Sequence, residues 1–224
     1  MRHSRREFLR QTTAGLATTA AFTGLTARNE AFAQTSLSPE AALQQLMDGN
    51  RRFAEGRLAS FAEDLDILKS KTVDKQEPFA AVLSCADSRV PVELIFDQTI
   101  GHLFVTRVAG NIATSAIIAS LEYGVAVLGT SAIIVLGHAN CGAVKASIEA
   151  KAVPGQISAL YPYLRPAVDQ AGPDLEAAIK ANAKIQAALL RQSSPVLAEH
   201  IKQNRLKIVA GYYDLESGSV TPLD

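Results

Sequence analysis

Two cysteines, Cys85 and Cys141, are the whole thiol complement of this 224-residue chain, and each sits in a stretch dense with polar chemistry. The first opens "CADSR", which places Cys85, Asp87 and Arg89 at alternate positions; the second closes "HANC", which spaces His138 and Cys141 as H-x-x-C. The thiols lie 56 residues apart with no C-x-x-C, so they are either one long-loop disulfide or two thiolates committed to a metal. Their neighbours favour the metal. Together with His138, the only histidine near either cysteine, they form a Cys₂His set of nitrogen and sulfur donors suited to zinc, and three protein ligands leave the fourth position open, as in catalytic sites. In an extended segment Cys85, Asp87 and Arg89 project to one side. Asp87 then either closes the metal's shell as a fourth ligand or accepts a hydrogen bond from a bound water. A bidentate Arg89 guanidinium would keep the acid ionised and turned off the metal. The glycines of "GHANCG" have phosphate-loop spacing, but Ala143 and Val144 stand where that motif needs Lys and Ser/Thr.

These residues need elements to position them. "FAAVLSCA" (79–86), "HLFVTRVAG" and "SAIIVLG" (131–137) are short apolar runs with β-branched content, and the first is bounded by Pro78 and the polar "DSR". All three read as buried strands. Between the second and third, "TSAIIASLEYGVAVLG" predicts a helix capped by Thr114 or Ser115. Strand, helix, strand implies a parallel sheet, with Cys85 and His138 each just past a strand's carboxyl end, where α/β sheets bind ligands. Upstream, Ser38-Pro39-Glu40 opens a helix with Leu43, Leu46 and Met47 on one face, and the helical spacing lapses at Gly49. Residues 174–203 predict two helices broken near "SSP" (193–195). "LKIVAGYYDLESGSVTPL" predicts a strand and a return, turning at Glu216 to Ser219. The fold class is therefore α/β, a central, mostly parallel sheet flanked by helices with an N-terminal helical arm.

Residues 1–33 stand apart. "SRREFLR" followed by a charge-free, mildly apolar run and "AFA" (31–33) predicts an export signal cleaved near Ala33/Gln34. Arg5-Arg6 followed by Phe8-Leu9 resembles a bacterial twin-arginine signal, which implies periplasmic export of a folded chain. The run is too short and too rich in Thr, Ala and Gly to span a membrane, so no stable membrane anchor is expected. Without that segment, 17 basic and 20 acidic residues remain, a formal charge of −3 with no electrostatic case for nucleic acid. The remaining residues, 34–224, suit one domain, and no linker or repeat divides them.

"CADSR" and "HANCG", with 53 residues from the first Cys to the His, resemble the zinc signature of the β-class carbonic anhydrases. "LMDGNRRFAEG" is similar to that family's N-terminal helical segment and "LFVTRVAGN" to its second strand. The resemblance implies one Zn²⁺ per chain on Cys85, His138 and Cys141, with Asp87 and Arg89 as a catalytic dyad. It also implies that Gln76 hydrogen-bonds the substrate, that Phe104 and Tyr123 line the pocket from a dimer interface, and that the Gly142 amide helps to bind the substrate. Members with an inhibitory bicarbonate site carry Trp three residues before the first zinc Cys. Val82 stands there in this chain, which points to the plant-like, constitutively open type, although Arg107 matches an arginine of that site. A homodimer or homotetramer is implied, with the N-terminal helices embracing a neighbour.

The chemistry expected of such a centre is the reversible hydration of CO₂ to bicarbonate and a proton. Zinc lowers the pKa of bound water from about 15.7 toward 7, giving hydroxide that attacks the carbon. Two thiolates neutralise the ion more than imidazoles would, so activity is expected to rise into mildly alkaline pH. His102 and His200 are the other histidines beyond residue 33, with no geometric ground to make either a proton shuttle. Two other functions use the same residues: hydrolysis of carbon disulfide or carbonyl sulfide, also small, linear and apolar, and a non-enzymatic zinc domain closed by Asp87. Arg89 argues against the second, since a structural site needs no partner to hold the acid away.

Overall fold

A computed structural model of the chain describes residues 35–60 and 65–223, so the expected export signal and its cleavage site lie outside the described residues. Five strands form one sheet: β1 (Ala80–Ser84), β2 (Leu103–Arg107), β3 (Ala132–His138), β4 (Lys207–Tyr213) and β5 (Val220–Pro222). Their order across the sheet is β2-β1-β3-β4-β5, parallel except for the antiparallel β4–β5 pair. The three apolar runs become β1 to β3 as expected, and the C-terminal return forms across the turn after Tyr213.

Alternation along the strands sorts the core into two faces. Ala80, Val82, Ile134 and Leu136 pack on one side with Leu46, Ile95 and Phe96. Ala81, Leu83, Ile133 and Val135 pack on the other with Leu121, Ala187, Leu190 and Leu197. The first layer comes from α1 (Pro39–Ala54) and the short α3 (Val92–Ile95); α2 (Leu65–Thr72) lies between them in sequence. The second comes from α4 (Ser115–Ala126), α7 (Leu175–Ser193) and α8 (Pro195–Lys202). Thr114, one of the two expected caps, accepts the Ile117 N–H at the start of α4, and the side chains of Ser38, Asp174 and Ser194 cap their helices in the same way. Two helices beside the site, α5 (Gly142–Glu149) and α6 (Tyr161–Ala171), complete the layers.

The expected lapse of helix at Gly49 does not occur. α1 continues unbroken to Ala54, with Gly49 buried against α3, where a Cβ would lie 1.8 Å from the Phe96 carbonyl oxygen. The glycine is there for close approach of two backbones. The next residue, buried Asn50, donates to the carbonyls of Ile95 and Gly218 and accepts from the Val220 N–H, tying the arm to the β4–β5 turn.

An ion pair clamps the same layer. Arg52 Nε lies 2.5 Å from Asp97 Oδ2, and the Asp97 side chain is fully buried. Asp97 Oδ1 also accepts the backbone N–H groups of Ala59 and Ser60, at 3.1 and 2.9 Å. Burial by itself would raise the Asp97 carboxyl; the Ser60 N–H, the Arg52 guanidinium and the Ala59 N–H outweigh it and hold the pKa down to about 2. A carboxyl lowered on folding stabilises the fold above its unfolded range and stops doing so as pH falls through the folded value. Urea denaturation should therefore show Asp97→Asn less stable than wild type by about 2 kcal/mol at pH 7, with the difference shrinking steadily below about pH 4.

Candidate metal centre

Parallel pairing sets Ser84 of β1 opposite Leu136 of β3, so Cys85, the next residue, emerges beside the end of β3 where His138 sits. The chain leaves β1 toward β2 on one side and returns to β3 on the other, which makes this edge the sheet's switch point and opens a crevice at the strands' carboxyl ends. Two residues past β3, Asn140 takes φ 55° and turns the chain so that Cys141 becomes the N-cap of α5. The expected convergence takes place: one donor atom from each of Cys85, His138 and Cys141 lies within 4.8 Å of the others, and all three residues are buried.

The trio fits a zinc ion. Sγ of Cys85 and Sγ of Cys141 are 4.0 Å apart and not bonded, against about 3.8 Å for two sulfurs on one tetrahedral zinc. His138 is fully buried, and its Nδ1 faces the Ala139 carbonyl at 2.9 Å. That contact assigns the proton to Nδ1 and leaves the Nε2 lone pair toward the sulfurs, where it is a buried polar atom with no hydrogen-bond partner. An orphaned imidazole nitrogen beside two unpaired thiols is costly in a dry pocket unless a cation takes the three together.

The thiols are already biased toward that state. The Cys141 hydrogen bond draws the Cys85 thiol pKa down against the opposing effect of burial; the N–H of Gly110, 3.3 Å from Cys85 Sγ, adds to the lowering. Cys141 is pushed up by sharing its proton with Cys85 and by burial, partly offset by the Val144 and Ala143 N–H groups at the start of α5, which form no full cap bond. The two shifts run in opposite directions, so Cys85 gives up its proton more readily than Cys141.

Asp87 and Arg89 pair as expected but by a different route. The segment does not stay extended beyond Asp87: the Arg89 N–H donates to Asp87 Oδ1 at 2.9 Å and the Val90 N–H to the Asp87 carbonyl, a tight turn. Alternation along a strand therefore does not bring acid and guanidinium together; the turn does. Arg89 Nε meets Asp87 Oδ1 at 3.0 Å and Nη2 meets Oδ2 at 2.7 Å, a bidentate pair. The Arg89 hydrogen bond holds the Asp87 carboxyl well below the usual carboxylate range against its partial burial, so the acid is ionised. Oδ2 stands 3.9 Å from His138 Nε2, at the rim of the trio and outside it.

Arg107 has a second role that the sequence did not show. Its Nε donates to the Cys85 carbonyl at 2.9 Å and its Nη2 to the Asp87 carbonyl at 2.6 Å, bracing the turn from β2. Nothing in residue type or spacing announces a guanidinium aimed at backbone. Gly142 begins α5 next to Cys141, exposed, with open space where a side chain would be. Gln76, Phe104 and Tyr123 are not brought to the trio within one chain. Phe104 pairs with Ala81, so it sits about 13 Å back along the strands from Cys85. Gln76 is exposed before β1 begins. Tyr123 is 46% exposed and packs its ring 6.2 Å from that of Phe104.

Comparison with known proteins agrees with this geometry. Residues 80–220 match the family described as carbonic anhydrase. The chain is 34% identical to carbonic anhydrase 2 of Mycobacterium tuberculosis over 195 residues, covering 81% of this chain and 91% of that protein. Among solved structures, the β-carbonic anhydrase CcaA superposes with a TM-score of 0.63 at 29% identity, covering 80% of this chain and 86% of the other. The Coccomyxa β-carbonic anhydrase in complex with acetazolamide superposes with a TM-score of 0.64 at 27% identity, covering 81% and 86%.

The opposed shifts of the two thiols have a measurable consequence. Metal binding needs both sulfurs as thiolates, so zinc added to metal-free protein near pH 7 should release about one proton per ion, read with a pH indicator in weak buffer. Release of about two would mean that both thiols are protonated in the free centre.

Proposed function

We infer that this chain, which belongs to the β-class carbonic anhydrase family, catalyses the reversible hydration of carbon dioxide to bicarbonate and a proton. The observation that carries the reading is the buried Cys85, His138 and Cys141 trio with an ionised, bidentately held carboxylate at its rim. Those three residues would hold one Zn²⁺. When bound there, zinc acidifies a water molecule toward neutral pH and so supplies the nucleophile.

The chain's own residues do the rest. Asp87 would orient the nucleophile: its carboxylate, kept ionised by Arg89, accepts a hydrogen bond from the attacking oxygen and so leaves a lone pair facing the carbon of CO₂. Arg89 acts through Asp87. Because both carboxylate oxygens accept from Arg89, the acid is drawn away from the trio, which supports an open coordination position, in keeping with Val82 in place of tryptophan. Gly142, unobstructed at the start of α5, offers its N–H to an oxygen of the substrate. The fully buried sulfurs and imidazole exclude bulk water, which suits a small uncharged substrate.

Gln76, Phe104 and Tyr123 are assigned to the pocket of a neighbouring subunit. Gln76 and Tyr123 are exposed and Phe104 lies beside Tyr123 near the start of β2, an edge strand, which supports a homodimer or homotetramer in which each chain completes another's site. Residues 1–33 are assigned to a twin-arginine-type export signal ahead of a single domain, 34–224, with the mature enzyme in the periplasm. Its basis is the Arg5-Arg6 pair, the charge-free run and the small residues before Gln34. Among the described residues, no helix is long and apolar enough to cross a membrane.

Zinc analysis and stopped-flow CO₂ hydration on residues 34–224 test the function. One zinc per chain and fast hydration are expected, falling about 10²-fold or more in Asp87→Ala with zinc retained. Zinc without hydration would overturn the reading in favour of carbon disulfide, carbonyl sulfide or plain metal binding. Sedimentation of the same protein should show dimers or tetramers; an active monomer would sink the assignment of Gln76, Phe104 and Tyr123.

A further inference from the structure

Helix α7 packs its apolar residues Ala183, Ala187 and Leu190 on the sheet, yet it also buries two carboxamides, Asn182 and Gln186, each 1% exposed. They are four apart and share a face. Gln186 Nε2 donates to Asn182 Oδ1 and to the Tyr163 carbonyl, both at 3.1 Å, so its two hydrogens are used. Gln186 Oε1 accepts the Ala113 N–H at 2.9 Å, and Asn182 Nδ2 donates to the Gly110 carbonyl at 2.8 Å. The two side chains thus hold both ends of the loop 110–113. That loop contains successive left-handed residues, Gly110 at φ 77° and Asn111 at φ 43°. A Cβ at residue 110 would also meet Leu164 at 3.0 Å, so the loop has little room to shift. The Gly110 N–H of this loop donates to Cys85 Sγ at 3.3 Å.

We propose that Asn182 and Gln186 are positioning residues for the metal centre: by fixing the loop 110–113 they keep the Gly110 N–H on the Cys85 thiolate. Neither touches the trio. A hydrogen bond to a thiolate draws charge from sulfur, so a held N–H leaves Cys85 a weaker donor and the metal a stronger Lewis acid. If the loop relaxes, the bond is lost and Cys85 donates more strongly. Two desolvated amides turned toward α6 and the loop 110–113 are otherwise hard to account for, because alanine or leucine there would avoid burying polar groups. This inference rests on the Cys₂His centre binding metal.

Cobalt(II) replaces zinc and reports thiolate donation through its sulfur-to-metal charge-transfer band. Co(II)-loaded Asn182→Leu and the milder Asn182→Ser should show that band shifted to lower energy. In the zinc-loaded variants the pH at which CO₂ hydration reaches half its maximal rate should rise, because a more strongly donating Cys85 leaves the metal a weaker Lewis acid. Leu190→Ala, on the same helix but away from the loop, is the control for lost stability alone and should leave both readouts where wild type has them. If neither asparagine variant, at matched loss of Tm, differs from Leu190→Ala, the network is structural only and the proposal fails. Wild-type protein that takes up no cobalt would overturn the metal reading itself.

Discussion

Everything at the functional end of this molecule depends on one pairing, the parallel contact of β1 with β3 in the register that sets Ser84 against Leu136. Strand spacing in a sheet is about 4.8 Å, which is the scale on which two ligands can meet at one ion. A register shift of two residues would move Cys85 roughly 6–7 Å along the strand and out of reach of His138. The register is held by apolar packing on both faces, since β1 and β3 are buried at every position. The trio's geometry is therefore set by core hydrophobics rather than by the ligands' own attractions, as a site that must bind a metal without being rebuilt by it requires.

A second constraint is electrostatic. Two sulfurs that become thiolates, an imidazole and a carboxylate share a small, poorly hydrated volume, where like charges repel strongly. The chain answers with donors rather than distance. Arg89 takes both oxygens of Asp87, the Gly110 N–H lies on Cys85, and the first N–H groups of α5 lie near Cys141. Arg107 spends its guanidinium on the carbonyls of Cys85 and Asp87, holding the loop that carries both. The centre is negative and its surroundings are arranged to receive a cation.

The lower layer has a separate logic. Asn50 and the Arg52–Asp97 pair lock α1 to α3 and to the β4–β5 turn, on the face of the sheet away from α7. Gly49 allows the backbones to approach closely enough for these contacts to form. Polar groups buried this way gain little net stability, but each is satisfied, and together they fix where the arm lies.

Sequence alone determined what depends on residue type and local period. Cys85, His138 and Cys141 were legible as a donor set because both thiols and the nearby imidazole stand at the ends of apolar β-branched runs, and buried strands have such runs whatever surrounds them. The cap at Thr114 and the helix opening at Ser38 were legible for the same local reason. Tertiary structure decided the rest, because each remaining fact is a contact between segments distant in the chain. The turn that joins Asp87 to Arg89, where alternation pointed to an extended strand, is closed by backbone and braced from β2 by Arg107. Glycine at 49 inside the helix is required by the Phe96 carbonyl beside it, which no local spacing encodes. The carboxamides of Asn182 and Gln186 look in sequence like solvated polar residues on a helix, and only the fold of α7 over the loop 110–113 turns them inward. Local propensity sees period and type; it does not see what packs against them.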